Sequence, residues 1–213
     1  MTKPIILLGA GGHAKVLISV MQRLNLPVLG LVDPQMIVGG DYCGIKVLGA
    51  DDVVLDHDPQ AIELVNGVGS LPNDGAIRER LFERFAEQGY HFKTLIDPSA
   101  VVVDSGGLAA GVQVMAGAVV QIGTQIAYNC IVNSGAVIEH DCQLARHVHV
   151  APGATLCGGV VVAEHSHIGA GAVVIQNQQI GKNCVVAAGC VVTRSLADGQ
   201  IIYPARPQLK DRL

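Results

Sequence analysis

Charge and large rings are what this sequence of 213 residues has least of: 15% of its side chains are Asp, Glu, Lys or Arg, 3% are aromatic, and tryptophan is absent. The 14 Lys and Arg are outnumbered by 18 Asp and Glu, for a net charge of −4. That excludes nucleic acid and an anionic membrane surface as main partners, because both require a basic footprint. The six cysteines, at 43, 130, 142, 157, 184 and 190, have no CxxC or zinc-ribbon spacing and read as free thiols. A long uninterrupted apolar run is also missing. No charge occurs between Asp104 and Glu139, but Gln113, Gln121, Gln125, Asn129, Asn133 and repeated glycines break that window, so it is not a membrane span. The apolar stretch Ile5–Leu8 is too short for a signal peptide and lacks a cleavage site, which leads us to expect a cytoplasmic protein. A hydrophobic content of 50% excludes disorder, and the glycines have no three-residue period that would indicate collagen.

What is present divides into two halves with different periods. Residues 1–95 alternate strand and helix. Ile5–Leu8 reads as a buried strand, Gly9-Ala10-Gly11-Gly12 as a tight turn, and Ala14, Leu17, Ile18, Met21 and Leu24 as one face of a helix. Val28–Val32 is a second strand ending at Asp33, and Ile62–Val65 a further one. A helix with Asp74 as N-cap is expected to bury Ile77, Leu81, Phe82 and Phe85 and to stop at Gly89. This half is an α/β domain.

From Ile96 the period becomes six. Every sixth residue from Ile96 to Val192 is Val, Ile or Leu, 17 of 17 positions, which is an internal repeat and sets residues 96–213 apart as a second domain. Four residues after each, the side chain is small or Val in 15 of 17 cases, and Cys130, Cys142, Cys184 and Cys190 fall in that column as compact core fillers. A strict hexad fits a solenoid of very short parallel strands, aliphatic side chains inward and turns at the corners. Residues 18 apart then stack about 4.8 Å from each other, the spacing of neighbouring strands.

The two halves carry, in order, Gly9-Ala-Gly-Gly-His13-Ala-Lys-Val, Leu31-Val-Asp33, a strand ending at Gly69, Ile77-Arg78, Asp97-Pro98-Ser-Ala100, Glu139-His140-Asp141-Cys142, His149-Val-Ala-Pro-Gly153-Ala154 and Pro204-Ala-Arg206. As a set, over essentially the whole chain, this resembles the bacterial sugar O-acyltransferases with hexapeptide repeats. That family includes sialic-acid O-acetyltransferases and nucleotide-linked 4-amino-sugar N-acetyltransferases. The resemblance implies a Rossmann-like N-terminal domain followed by a left-handed parallel β-helix with three hexads per coil. It also implies a homotrimer, acetyl-CoA as co-substrate lying between subunits, and no metal.

Carried over residue by residue, the resemblance makes His140 the catalytic base and Asp141 its carboxylate partner, with Glu139 a weaker candidate for the same task. The chemistry is coherent on its own terms, since an amine attacking a thioester must lose a proton and histidine titrates near neutrality. His149 matches a second histidine that the resemblance places at the acetyl group or thioester. Small residues stacked at Gly158 below His140, and at Ala170 and Ala188 below Pro152, would leave a groove for the pantetheine arm. The turn Gly9, Gly11, Gly12 with His13, followed by Asp33, satisfies a dinucleotide fingerprint whose backbone N–H groups suit a pyrophosphate. The resemblance assigns that pyrophosphate to a UDP- or GDP-linked amino sugar, with Asp33 near the base or ribose, His13 near the phosphate or sugar, and Gly69 in the opposite wall. Bound NAD is the rival for this turn.

The expected activity is transfer of acetyl from acetyl-CoA to the C4 amine of a nucleotide-linked amino sugar for bacterial surface glycans. O-acetylation of sialic acid is the alternative. Recurrence of His147 and His149 at His165 and His167 also admits a zinc hydratase of the γ-carbonic-anhydrase type. A solenoid with a vestigial nucleotide domain is the remaining class. Residues 96–196 carry only eight charges, and three of them, Glu139, Asp141 and Arg146, surround His140.

Overall fold

The computed structural model describes residues 2–72, 76–104 and 107–204. The N-cap expected at Asp74 and the Ala205-Arg206 part of the last motif lie outside the described residues. The N-terminal elements are β1 (Ile5–Leu8), α1 (Gly12–Arg23), β2 (Val28–Val32), β3 (Asp41–Tyr42), β4 (Ile45–Gly49), β5 (Glu63–Asn66) and α2 (Ala76–Glu87). A short 3-10 turn, Asp51–Asp56, follows β4. The sheet order is β3-β4-β2-β1-β5, parallel except for the β3–β4 hairpin.

Strand β1 is apolar at every position because both faces are covered, as in buried parallel sheets. Ile5 and Leu7 pack with Leu17, Ile18 and Met21 of α1, while Ile6 and Leu8 pack with Leu81, Phe82 and Phe85 of α2. Each fully buried aliphatic side chain contributes about 1.5–3 kcal/mol. Helix α2 departs from expectation at one turn. Ile77 is 42% exposed and Arg78 only 3%. The helix turns Arg78 inward because its guanidinium finds backbone carbonyls there: it donates to Asn66 O at 3.0 Å, Val68 O at 2.7 Å and Asn129 O at 3.4 Å.

The repeats form a left-handed parallel β-helix. Its three faces are two-residue strands paired in register at a spacing of 18, except for the last pair of the first face, Val185 with Ile201, at 16: seven from Leu95–Ile96 to Ile201–Ile202, six from Val101–Val102 to Val191–Val192, and four from Gln125–Ile126 to Gln179–Ile180. The aliphatic column and the small column together make one continuous core, including Cys130, Cys142, Cys184 and Cys190. All six cysteines are free. Three of the core thiols point at the backbone of the next coil, Cys130 Sγ to Ala145 O at 3.0 Å, Cys142 Sγ to Cys157 O at 3.3 Å and Cys184 Sγ to Ala197 O at 3.0 Å.

A third column emerges from the corners. Every sixth residue from Gly111 to Gly189 has positive φ, and the fourteen residues are Gly, Asn, Asp or His throughout. These are the types that tolerate the left-handed region at least cost. Asp141, His147 and His165 therefore occupy positions that the coil itself restricts.

The first solenoid face is covered by the N-terminal half. Leu95 and Met115 join the α1 core, Arg23 pairs with Asp97, and Phe82 stacks against Phe92 with centroids 4.5 Å apart. A Cβ at Gly111 would come within 2.9 Å of the Phe82 ring, so the closeness of this docking depends on glycine there. His147 Nε2 donates to Glu83 at 3.1 Å, and His165 lies 3.4 Å from Glu79, so two corner histidines dock α2.

Candidate active site

At the C-terminal edge of the sheet, β1, β2 and β5 and the start of α1 enclose a cavity of about 880 Å³ that the solenoid closes with Asn133 and His149. Its floor is the glycine turn. Gly9 takes φ +89°, and a Cβ there would meet Val68 at 3.0 Å. Gly11 and Gly12 have nothing within 4 Å of an added Cβ, so bare backbone faces open space. Helix α1 has no side-chain cap and no acidic residue in its first turn. Its leading N–H groups and the positive end of its dipole are thus available to an anion.

Asp33 spans two loops. Its Oδ2 accepts from the Ala10 N–H and its Oδ1 from the Gln35 N–H, both at 2.8 Å, so it fixes the glycine turn to the end of β2. His13 is held by Gln113. The Gln113 amide donates to Asn66 O at 2.8 Å, which turns its Oε1 toward His13 Nε2, also at 2.8 Å. The ring must therefore carry its proton on Nε2, leaving Nδ1 as an acceptor. Burial, reinforced by the nearby Arg78 charge, holds the His13 pKa down at about 4, so the ring is neutral at physiological pH. Gly69 packs beside it, an added Cβ lying 3.5 Å from His13 Cβ.

His149 occupies the same cavity. Its Nδ1 donates to Ser70 O at 2.8 Å, and its Nε2 accepts from Asn133 Nδ2 at 3.2 Å. The Asn133 amide is oriented by the Ser134 N–H on its Oδ1. Burial and the edge-on His167 ring, 4.7 Å away, push the His149 pKa down to about 3. With both nitrogens engaged, His149 anchors the loop after β5 and serves poorly as a base.

His140 lies elsewhere, at the corner between the second and third solenoid faces. Its Nδ1 is 2.8 Å from Asp141 Oδ2, and the side chains are 61% and 72% exposed. A carboxylate can only accept, so Nδ1 carries the proton and Nε2 presents a lone pair. The ring rests on Gly158 of the next coil, where an added Cβ would sit 2.5 Å from Nε2 and 2.6 Å from Cε1. No hydrogen bond of the described residues uses the Gly158 N–H. Ala170 and Ala188 fall on the preceding corner, between the first and second faces, and within one chain they do not meet His140 and Gly158.

The chain thus brings together Gly9, Gly11, Gly12, His13, Asp33, Gly69 and His149 in one place, and His140, Asp141 and Gly158 in another. Ser70 was expected beside Gly69 in the opposite wall, whereas Asn133, Gln113 and Arg78 were not foreseen as site residues. The signal for Gln113 was available in the charge-free window, where an isolated amide in a short strand requires partners once buried. Among the described residues, no group of three or more His, Cys, Asp or Glu is arranged to hold a metal ion. His147 and His165 instead stack in parallel, 5.1 Å apart, against α2.

Comparison with known proteins follows this division. Residues 4–85 match the family model described as the PglD N-terminal domain. Over 98% of this chain and 100% of the other, at 31% identity and a TM-score of 0.85, the structure is similar to the acetyltransferase domain of PglB from Neisseria gonorrhoeae in complex with acetyl coenzyme A. Over 99% of both chains, at 32% identity and a TM-score of 0.83, it is similar to a histidine-to-alanine variant of GDP-perosamine N-acetyl transferase from Caulobacter crescentus in complex with CoA and GDP-perosamine. No curated protein matches the chain.

Proposed function

Because the chain belongs to the hexapeptide-repeat family of nucleotide-amino-sugar N-acetyltransferases, we propose that its two separated sites are the two halves of one acetyl-transfer centre. The reaction is acetyl-CoA-dependent N-acetylation of a nucleotide-linked amino sugar. The observation that carries this is the full-length match to a transferase whose structure holds both CoA and GDP-perosamine. The acceptor is the C4 amine of the sugar, and the product supplies bacterial surface glycan assembly.

The nucleotide diphosphate sits on the glycine turn, its charge met by the N–H groups that open α1. The sugar points toward His13 Nδ1, which is a neutral acceptor for a sugar donor group. His140 Nε2 takes the proton lost by the amine as nitrogen bonds to the thioester carbonyl. The tetrahedral intermediate then expels the CoA thiolate, which recovers the proton from His140. Asp141 holds the imidazole in the tautomer this requires, and the unengaged Gly158 N–H is the proposed donor to the oxyanion. The pantetheine arm runs between neighbouring copies, past Gly158 of one and Ala170 and Ala188 of the other. His149 closes the acceptor cavity beside it.

His140 is largely exposed in one chain, whereas a base acting on an amine needs an enclosed site. That supports a homotrimer in which the cavity of one copy faces the His140 corner of its neighbour. The second solenoid face supports it further: its outward positions are Val101, Val119, Val137, Thr155, Val173 and Val191, an apolar stripe running along the coils. No helix among the described residues is long and apolar enough to cross a membrane, and the protein is proposed to act in the cytoplasm.

The test offers acetyl-CoA with nucleotide-linked 4-amino sugars and, in parallel, with sialic acid, measuring thiol release and identifying the product by mass spectrometry. An amide on the amino sugar is expected. Transfer to the sialic acid hydroxyl with none to the amine would overturn the assignment.

A further inference from the structure

The four parallel strands of the sheet end on one edge, in the order β4, β2, β1, β5. A ligand with its diphosphate on the turn after β1 therefore extends over β5 on one side and over β2 and β4 on the other. The side beyond β5 is closed by solenoid residues, Asn133 and His149. Acetyl transfer requires the sugar there, so the base lies over the ends of β2 and β4.

Two carboxylates reach the cavity at that end, Asp33 and Asp51. Asp33 is committed to two backbone N–H groups. Asp51 is not: the nearby Arg84 pairs with Asp52, and no hydrogen bond or ion pair within the described residues engages the Asp51 carboxylate. Burial raises its pKa against the opposing charges of Arg84 and Arg80, so its oxygens are partly desolvated while holding no direct hydrogen bond among the described residues. A free carboxylate in a cavity for a dianionic ligand is unfavourable unless the ligand presents donors to it. At this end the ligand's donors are the ribose hydroxyls and the base; the ribose, next to the diphosphate, falls nearer Asp33 after β2, which leaves the base for Asp51 after β4.

The bases differ sharply in that respect. Guanine carries two adjacent donors, N1–H and the 2-amino group, which match the two oxygens of a carboxylate. Uracil and thymine offer one N–H flanked by two carbonyl oxygens, which a carboxylate would repel. Adenine and cytosine place a donor beside an acceptor. We infer that Asp51 is a specificity-determining residue that accepts both hydrogen bonds from guanine, making the carrier GDP rather than UDP. The inference rests on the nucleotide reading of this cavity.

The test is calorimetric titration of the full chain with GDP and with UDP, for wild type, Asp51→Ala and the isosteric Asp51→Asn. GDP should bind wild type at least tenfold more tightly than UDP. Both variants should weaken GDP by about 5- to 150-fold, the size of one bidentate base contact, and leave UDP unchanged, which also reports an intact cavity. UDP binding as tightly as GDP would overturn the assignment, as would a GDP affinity unaltered by either variant or an equal loss for both nucleotides. If neither nucleotide bound wild type, the nucleotide reading of the cavity would fall, and the guanine assignment with it.

Discussion

Gly158→Ala tests the geometry around His140 with a single methyl group. A Cβ at this position would lie 2.5 Å from His140 Nε2 and 2.6 Å from Cε1, about 1 Å inside the ordinary contact distance of 3.5–4 Å. The backbone at Gly158 is not in the left-handed region, so alanine costs nothing in conformation. The ring is exposed and can swing aside, so stability should change by no more than about 0.5 kcal/mol. Catalysis has no such freedom. Displacing a base by about 1 Å costs roughly 10²-fold in rate, and kcat for thiol release with a nucleotide-linked amino sugar should fall by that factor. Acetyl-CoA binding, followed by calorimetry, should hold. A kcat within about twofold of wild type would refute the placement of the base. A parallel loss of acetyl-CoA binding would show the methyl acting on the pantetheine arm instead.

Three further outcomes follow from buried and corner residues. His13 titrates at about 4 when folded against 6.5 when unfolded, so the unfolded chain takes up its proton first as pH falls. The stability this provides is complete above about pH 6.5 and is lost toward pH 4, on the order of 3 kcal/mol. His149, at about 3, extends the loss lower. Thermal melts from pH 7 to 4 should therefore be flatter for His13→Gln than for wild type; identical slopes would contradict the assignment of His13 as a buried neutral ring. Arg78→Met leaves the carbonyls of Asn66, Val68 and Asn129 without their donor and should cost about 2–4 kcal/mol in urea unfolding, an unchanged midpoint being the contrary result. At Gly135, φ is +65° and nothing lies within 4 Å of an added Cβ, so only the backbone decides. Gly135→Val should cost about 1–2 kcal/mol and Gly135→Asn much less; equal costs would deny the left-handed requirement.

The solenoid was legible because its constraint repeats. One aliphatic residue every six places, 17 times, admits few architectures, and the structure fills that column with core. The corner column from Gly111 to Gly189 is as regular, but its four residue types look unrelated until φ is known. Asp141 shows why this matters: one residue satisfies the corner and holds Nδ1 of His140, and composition alone does not separate the two demands. In the N-terminal half, β1, β2 and the glycine turn announce themselves by short apolar runs and small residues. The β3–β4 hairpin does not, since Asp41–Tyr42 and Ile45–Gly49 show little alternation and the pair is two residues long on one side. Ile77 and Arg78 were ordered by hydrophobicity, whereas the helix is rotated by three carbonyls that a guanidinium satisfies and an aliphatic side chain cannot. The partition of the site was the least legible feature. His140 and His149 are nine residues apart, but whether half a coil separates or joins them depends on which face the N-terminal half covers, and that is a property of docking rather than of either repeat.

The measurement that bears most directly on the account is turnover by His140→Ala with acetyl-CoA and a nucleotide-linked 4-amino sugar, both shown separately to bind. Removing a general base that takes the amine proton should lower kcat by about 10²- to 10⁴-fold with binding of both substrates intact. Near-normal turnover under those conditions would contradict it.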